Sequence, residues 1–234
     1  MMIWLWLACT GEDSIKAIEP EKTLITASQE VIFASTEILG PHRFRSVFEQ
    51  TEFHGEDLRN THREVLSIDW LDWDHWQATH MVGDDVVMKV IIMESTCLEQ
   101  VSGKFVKRPD GEPYRVQLRS MWNQWDSIMR HFEPHSTWTD NGTSTMEDRT
   151  VHHYTAVFTE PQSPTSGLTP VALDAQVWVD EQTAVRLVGS VEASLIKGPY
   201  KKSVSLKVER SDIGTDAVER RLTEEWSKIQ VLQE

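Results

Sequence analysis

The sequence predicts an α+β fold in which helices gather on one face of a curved antiparallel sheet. Three observations predict it. Apolar residues recur with period two through several segments, each with one apolar side. One long stretch, residues 110–133, has the period of a helix and separates two runs of such strands. Shorter helical patterns stand near each end of the chain. The order helix, strands, long helix, strands, helix is an α+β order, and one-sided strands fit an antiparallel sheet with one covered face.

The elements follow in sequence. Residues 10–22 are polar, carry Pro20 and show no apolar period, so they read as a tether. From Leu24 a helical pattern begins, with Leu24, Val31, Ile32, Ser35, Ile38 and Leu39 on one face and Gly40-Pro41 as the stop. Phe44, Ser46 and Phe48 then alternate with Arg43, Arg45, Val47 and Glu49. Leu66, Ile68, Trp70, Trp76 and Ala78 continue that parity, and Asp72-Trp73-Asp74 marks a bulge or sharp bend between them. Gly83-Asp84-Asp85 is a turn, and Val86–Thr96 reads as a strand apolar on both faces.

Asp110-Gly111-Glu112-Pro113 is a helix start. Tyr114, Leu118, Met121, Trp122, Trp125, Ile128, Met129 and Phe132 fall on one helical face, and Pro134 ends it. Strands return with Tyr154, Ala156 and Phe158. A loop spans Glu160–Pro170. Val171, Leu173, Ala175, Val177 and Val179 form the next strand, and the turn Asp180–Thr183 leads to Val185, Leu187, Gly189, Val191 and Ala193. Val204, Leu206 and Val208 form a further strand. Val218, Leu222, Trp226 and Ile229 suggest a closing amphipathic helix. No internal repeat is visible.

The chain has 234 residues, enough to bury a full core without staples. Its net charge of −14 disfavours nucleic acid and a polybasic membrane-binding surface, because both rest on Lys and Arg. No internal stretch approaches the roughly 20 apolar residues of a membrane span.

The N-terminus reads MMIWLWLACTGEDSIKAIEPEK. The apolar run from Met1 to Ala8 stops at Cys9, and polar residues follow at once. This resembles a bacterial lipoprotein signal, in which Leu7-Ala8-Cys9 would end the lipobox and Cys9 would be acylated. The alternative is an apolar N-terminus of a cytosolic protein. With Cys9 acylated, Cys97 has no intramolecular partner, so a disulfide framework is excluded. Cys97 lies in the strand-like run VVMKVIIMESTCL and reads as a small buried apolar residue.

Three segments carry a wider resemblance: HRFRSVFEQTEFHG after the opening helix, DRTVHHYTAVF after the long helix, and the hairpin ALDAQVWVDEQTAVRLVGSVEASL. Over residues 23–213 the chain resembles the LolA/LolB-like and LppX/LprG-like group of bacterial envelope lipoproteins and lipoprotein carriers. That resemblance implies an unclosed half-barrel, a strongly curved antiparallel sheet with helices covering its concave face. It also implies an interior that holds acyl chains, without catalytic residues or cofactors. The chain departs from the group in its 10 tryptophans and in an Asp/His-rich bend.

That bend, IDWLDWDHWQATH, is the one concentration of potential metal ligands or acid–base groups. A metal site needs converging donors. In a strand Asp72, Asp74 and His80 share a face while His75 points away. His152 and His153 are adjacent and point apart. No HExxH, paired CxxC or Gly-rich phosphate loop is present. Asn141-Gly142-Thr143 matches a glycosylation acceptor and reads as a loop.

The expected organisation is a signal-like segment at 1–9, a tether at 10–22 and a half-barrel domain at 23–234. The expected function is non-catalytic binding of a lipid or acyl chain by an envelope protein. Its domain would lie in the periplasm, lipid-anchored through Cys9, at the outer membrane. Trp76, Met121, Trp122, Trp125, Met129 and Phe158 are the candidate cavity lining. The same residues could equally form a tight core. One alternative is a scaffold of the same fold working through protein contacts. Another is a metal-dependent hydrolase using Asp72, Asp74, His75 and His80.

Overall fold

The computed structural model describes residues 23–29, 37–94, 96–122, 124–161 and 167–233, and the side chains of 120–122 and 230–233 fall outside that description. Helix α1 (Leu24–Gln29) leads to strand β1 (His42–His54). Five more strands follow: β2 (Asp57–Asp72), β3 (His75–Val82), β4 (Asp85–Met93), β5 (Thr96–Val101) and β6 (Lys104–Arg108). Helices α2 (Glu112–Trp122) and α3 (Gln124–Met129) come next. Strands β7 (Ser136–Met146), β8 (Arg149–Phe158), β9 (Thr169–Asp180), β10 (Arg186–Lys197) and β11 (Tyr200–Ser211) precede helix α4 (Asp216–Gln233).

All eleven strands join one antiparallel sheet in the order β6-β5-β4-β3-β2-β1-β11-β10-β9-β8-β7. The two halves of the chain are meanders that meet where β1 pairs with β11. The edges β6 and β7 do not pair with each other, so the sheet is an unclosed half-barrel. The parity read from sequence sets its inner face. Phe44 on β1, Leu66, Ile68 and Trp70 on β2, Trp76 and Ala78 on β3, and Leu206 on β11 are all buried in one core. Trp70 faces Trp76 across the β2–β3 ladder, and Ile68 faces Ala78.

Helices α2 and α3 close this inner face. Leu118, Trp125, Ile128, Met129 and Phe132 are buried against the sheet. Two glycines allow the approach. A Cβ on Gly111 would lie 2.2 Å from Ile92 Cδ1, and one on Gly189 would lie 2.6 Å from Trp125 Cζ3. Without side chains, these positions let α2 begin directly on β4 and the Trp125 ring lie flat on β10. Arg186 on β10 adds a salt bridge to Asp126 at 3.0 Å.

Helix α4 lies on the other face. Ile229 packs with Ile91 and Leu98, cross-strand partners on β4 and β5. Arg221 bonds Asp69 on β2 at 2.7 Å, and Lys89 on β4 bonds Glu225 at 2.5 Å. The apolar character of both faces of β4, visible in sequence, has this cause: one face meets the inner core and the other meets α4.

Several local expectations are corrected. Asp72-Trp73-Asp74 is a complete strand reversal, with Trp73-Asp74 as the turn and a register shift between Trp70 and Asp72. The strand expected at 86–96 ends at Met93, and Thr96 already belongs to β5. Asn141-Gly142 is a bulge inside β7, where Gly142 takes φ 95°. Pro134 opens a 3-10 turn at Glu133–His135, five residues after α3 ends. Ile38 is 64% exposed while Leu39 is buried, so the two do not share an apolar face. Val31, Ile32 and Ser35 lie outside the described residues.

Candidate functional site

The Asp/His-rich hairpin organises itself. Asp72 accepts the Asp74 backbone N–H at 2.7 Å and contacts His75 Nδ1 at 2.9 Å. Asp74 sits 3.7 Å from Arg115 on α2, and Arg115 also donates to the Trp73 carbonyl at 2.8 Å. The Trp73 ring lies under the guanidinium of Arg119, 5.3 Å from its centroid, and its indole N–H bonds Glu37. These residues tie the hairpin to α2. His80 is not among them. It sits on the inner face opposite Leu66, with Nε2 3.3 Å from Glu64 Oε2 but off the angle of a hydrogen bond. The turn therefore brings Asp72, Asp74 and His75 together and leaves His80 elsewhere, which corrects the expectation that Asp72, Asp74 and His80 share a strand face. His152 and His153 do diverge: His152 bonds Asp140 at 3.1 Å, and His153 stacks on Trp178 at 4.3 Å.

The inner face changes character along the strands. Its apolar rows on β1, β2 and β11 give way to Ser46, Gln50, Glu52, His62, Glu64, His80 and Lys202. Glu64 is the centre of this polar end. It bonds His62, lies beside His80 and accepts from Gln124 Nε2 on α3 at 3.2 Å. Burial raises its carboxyl pKa, but the His62 hydrogen bond and the neighbouring imidazoles outweigh that and hold it below the ordinary value.

Where the apolar rows meet this polar end, a cavity of about 270 Å³ opens between α3 and the sheet. Phe48, Ile128, Leu168, Leu195 and Val204 supply its apolar wall. Gln124, Ser127, His131 and Lys202 supply the polar part. A second cavity of about 280 Å³ shares Leu168 and Lys202 with it and continues past Phe53 and Tyr200 to Glu52, Arg59 and Lys201. Small-molecule pockets begin at about 300 Å³, so each cavity alone is small and the adjoining pair has the size of a ligand site. A larger depression of about 610 Å³ runs along the flank of α4 from Asp216 to Lys228 and is lined by that helix alone, so it is open surface.

Among the residues proposed from sequence for the lining, Trp76, Trp125 and Met129 are buried in the packed core. Phe158 is partly buried, and Phe132 meets it edge-on at 5.5 Å. The side chains of Met121 and Trp122, and all of Cys9, lie outside the described residues. Sequence reasoning missed Phe48, Leu195, Val204, His131 and Lys202 as a group. The parity signal was present, since Phe48 continues Phe44 and Ser46, and Lys202 precedes Val204 and Leu206 by one period. Cys97 is 3% exposed, and burial pushes its thiol up to about 11, as suits a packed and unreactive cysteine.

These features define an unclosed antiparallel half-barrel with a helix-covered inner face and a cleft at one end. Comparison with solved structures returns chains at low TM-score and low identity. The chain is similar to LprF from Mycobacterium bovis, with TM-score 0.34, 10% identity, and coverage of 80% of this chain and 93% of that one. It is similar to the lipoprotein LppX of Mycobacterium tuberculosis, with TM-score 0.35, 9% identity, and coverage of 81% and 94%. A LolA superfamily protein from Nitrosomonas europaea matches with TM-score 0.24 and 5% identity, covering 82% and 91%. No family model and no curated protein matches the sequence. Likeness at this level assigns no ligand, so function is argued from the residues of this chain.

Proposed function

We propose that this protein binds the acyl chain of a lipid in the cleft beneath α3, as a bacterial envelope protein anchored through Cys9. The observation that carries the reading is the cavity walled by Phe48, Ile128, Leu168, Leu195 and Val204. An acyl chain suits such a wall because each buried methylene contributes about 0.8 kcal/mol. Ten methylenes contribute roughly 8 kcal/mol before ordering costs, the scale of micromolar binding. Trp76, Trp125, Met129 and Phe158 belong to the packed core beside this wall and do not line the cavity. The role is binding and not catalysis. In this reading residues 1–9 are the signal-like segment, residues 10–22 the tether, and the domain faces the periplasm at the outer membrane.

The test is native mass spectrometry of protein purified from its own membranes, with a lipid adduct as the expected result. Leu195→Trp fills the cavity and should remove the adduct while the protein still unfolds cooperatively. Absence of any lipid adduct on the unsubstituted protein would leave a scaffold role in its place. The anchor has a separate test. One acyl chain holds a protein only marginally to a bilayer, whereas two hold it stably. Cys9→Ser should move the protein from the membrane to the soluble fraction, and its retention in membranes would remove the anchor.

A further inference from the structure

We infer that the ligand of this cleft is an anionic amphiphile, with its carboxylate or phosphate head held by Lys202 and its chain running beneath α3. The inference rests on the acyl-binding reading above and adds the charge of the ligand to it.

Lys202 stands in a row that is otherwise core. The same face of β11 carries Val204, Leu206 and Val208, all buried in the main cluster. The register sets Lys202 beside Leu195 on β10 and Glu52 on β1. It is half-buried, and it lines both cavities, so it stands at their junction. A lysine in that position brings its stem against apolar side chains and its ammonium to the point where a chain entering one cavity leaves the other.

The neighbouring charges leave that ammonium available. Among the described residues Lys202 has no carboxylate within ion-pair distance. Glu52, its cross-strand neighbour, accepts from Gln50 Nε2 at 2.8 Å. Glu64, the other acid of this end, is already engaged by His62, His80 and Gln124. The second cavity is lined by three cations, Lys201, Lys202 and Arg59, against the single carboxylate of Glu52, and among the described residues Arg59 pairs with an exposed Asp57 at 3.5 Å. The chain as a whole carries −14, so its general field repels anions. Cations gathered at this cleft therefore act locally, by contact, where charge-assisted hydrogen bonds to an anionic head are strongest.

The experiment compares laurate with dodecanol, two ligands of equal chain length, by calorimetric titration of the full chain at pH 8 below their aggregation concentrations. Laurate should bind about tenfold more tightly, the scale of one hydrogen bond to a charged group. Lys202→Met should abolish the preference for laurate over dodecanol, and Lys202→Arg should keep it. Thermal unfolding of each variant verifies that the fold is retained. Equal binding of the two ligands by the unsubstituted chain would overturn the anionic-head assignment and leave acyl binding intact. A preference that survives Lys202→Met would also overturn it. Binding of neither ligand would remove the acyl reading and this inference together.

Discussion

Buried charged and titratable side chains hold this sheet together where its apolar rows end. His42 is 1% exposed at the start of β1, and burial pushes its imidazole down from 6.5 to about 4. The folded state thus takes up its proton later than the unfolded chain does. The stability this confers is complete above about pH 6.5 and is lost as pH falls towards 4. The shift corresponds to on the order of 3 kcal/mol. Urea unfolding of His42→Leu between pH 4 and pH 7 should show a flatter pH dependence than the unsubstituted protein. Arg149 and Asp180 make a second such point. Asp180 is 1% exposed and is held by Arg149 at 2.8 and 3.0 Å and by Thr183. Burial raises the Asp180 pKa, but these bonds outweigh it and leave the carboxyl below its ordinary value. Arg149→Ala strands a buried carboxylate and should cost about 3 kcal/mol. Adding Asp180→Asn should recover part of that loss in a double-mutant cycle.

At the level of elements, the helical cover is held at both ends by glycines that bring a helix against a strand. Gly189→Ala sets a methyl 2.6 Å from the Trp125 ring, which is itself buried and has the Arg186 guanidinium 5.5 Å from its centroid. The substitution should destabilise by about 1–3 kcal/mol and expose Trp125 to solvent. Chemical denaturation with a red shift of tryptophan emission checks both parts. The helical period over 110–133 was plain in the sequence because large apolar residues repeat at three and four. Strand β7 was not visible: STWTDNGTSTM is polar and mostly exposed, so it offers no alternation to read. It pairs through backbone hydrogen bonds with β8, which side-chain pattern cannot report.

For the molecule as a whole, an unclosed sheet has two edges to protect. Edge β7 is polar along its length. Edge β6 carries Lys104, Lys107 and Arg108 around an exposed Val106. Charged residues on an edge strand oppose pairing with a second molecule. Lys104→Val combined with Lys107→Val should therefore raise self-association at unchanged fold, read as a concentration-dependent increase in light scattering. Wild-type-like monodispersity of that variant would show that the edge is protected by some other means.

The α+β order, the parity of the inner face and the apolar face of the helical cover are legible in residue spacing alone. Each is set by residue spacing along a single element, where local geometry leaves few choices. Phe44, Leu66, Trp76 and Leu206 all lie where their alternation puts them. Which elements meet is set by long-range pairing. Strands β1 and β11 are neighbours although the nine other strands lie between them in sequence, and that pairing brings Phe48 and Val204 to one wall. The tertiary structure also decided that His80 serves Glu64 while Asp72 and His75 secure a turn, because a two-residue reversal sends neighbouring donors in different directions. Local spacing states which way a side chain points. What it meets there depends on contacts between distant segments, and the cleft with its lysine is made of such contacts.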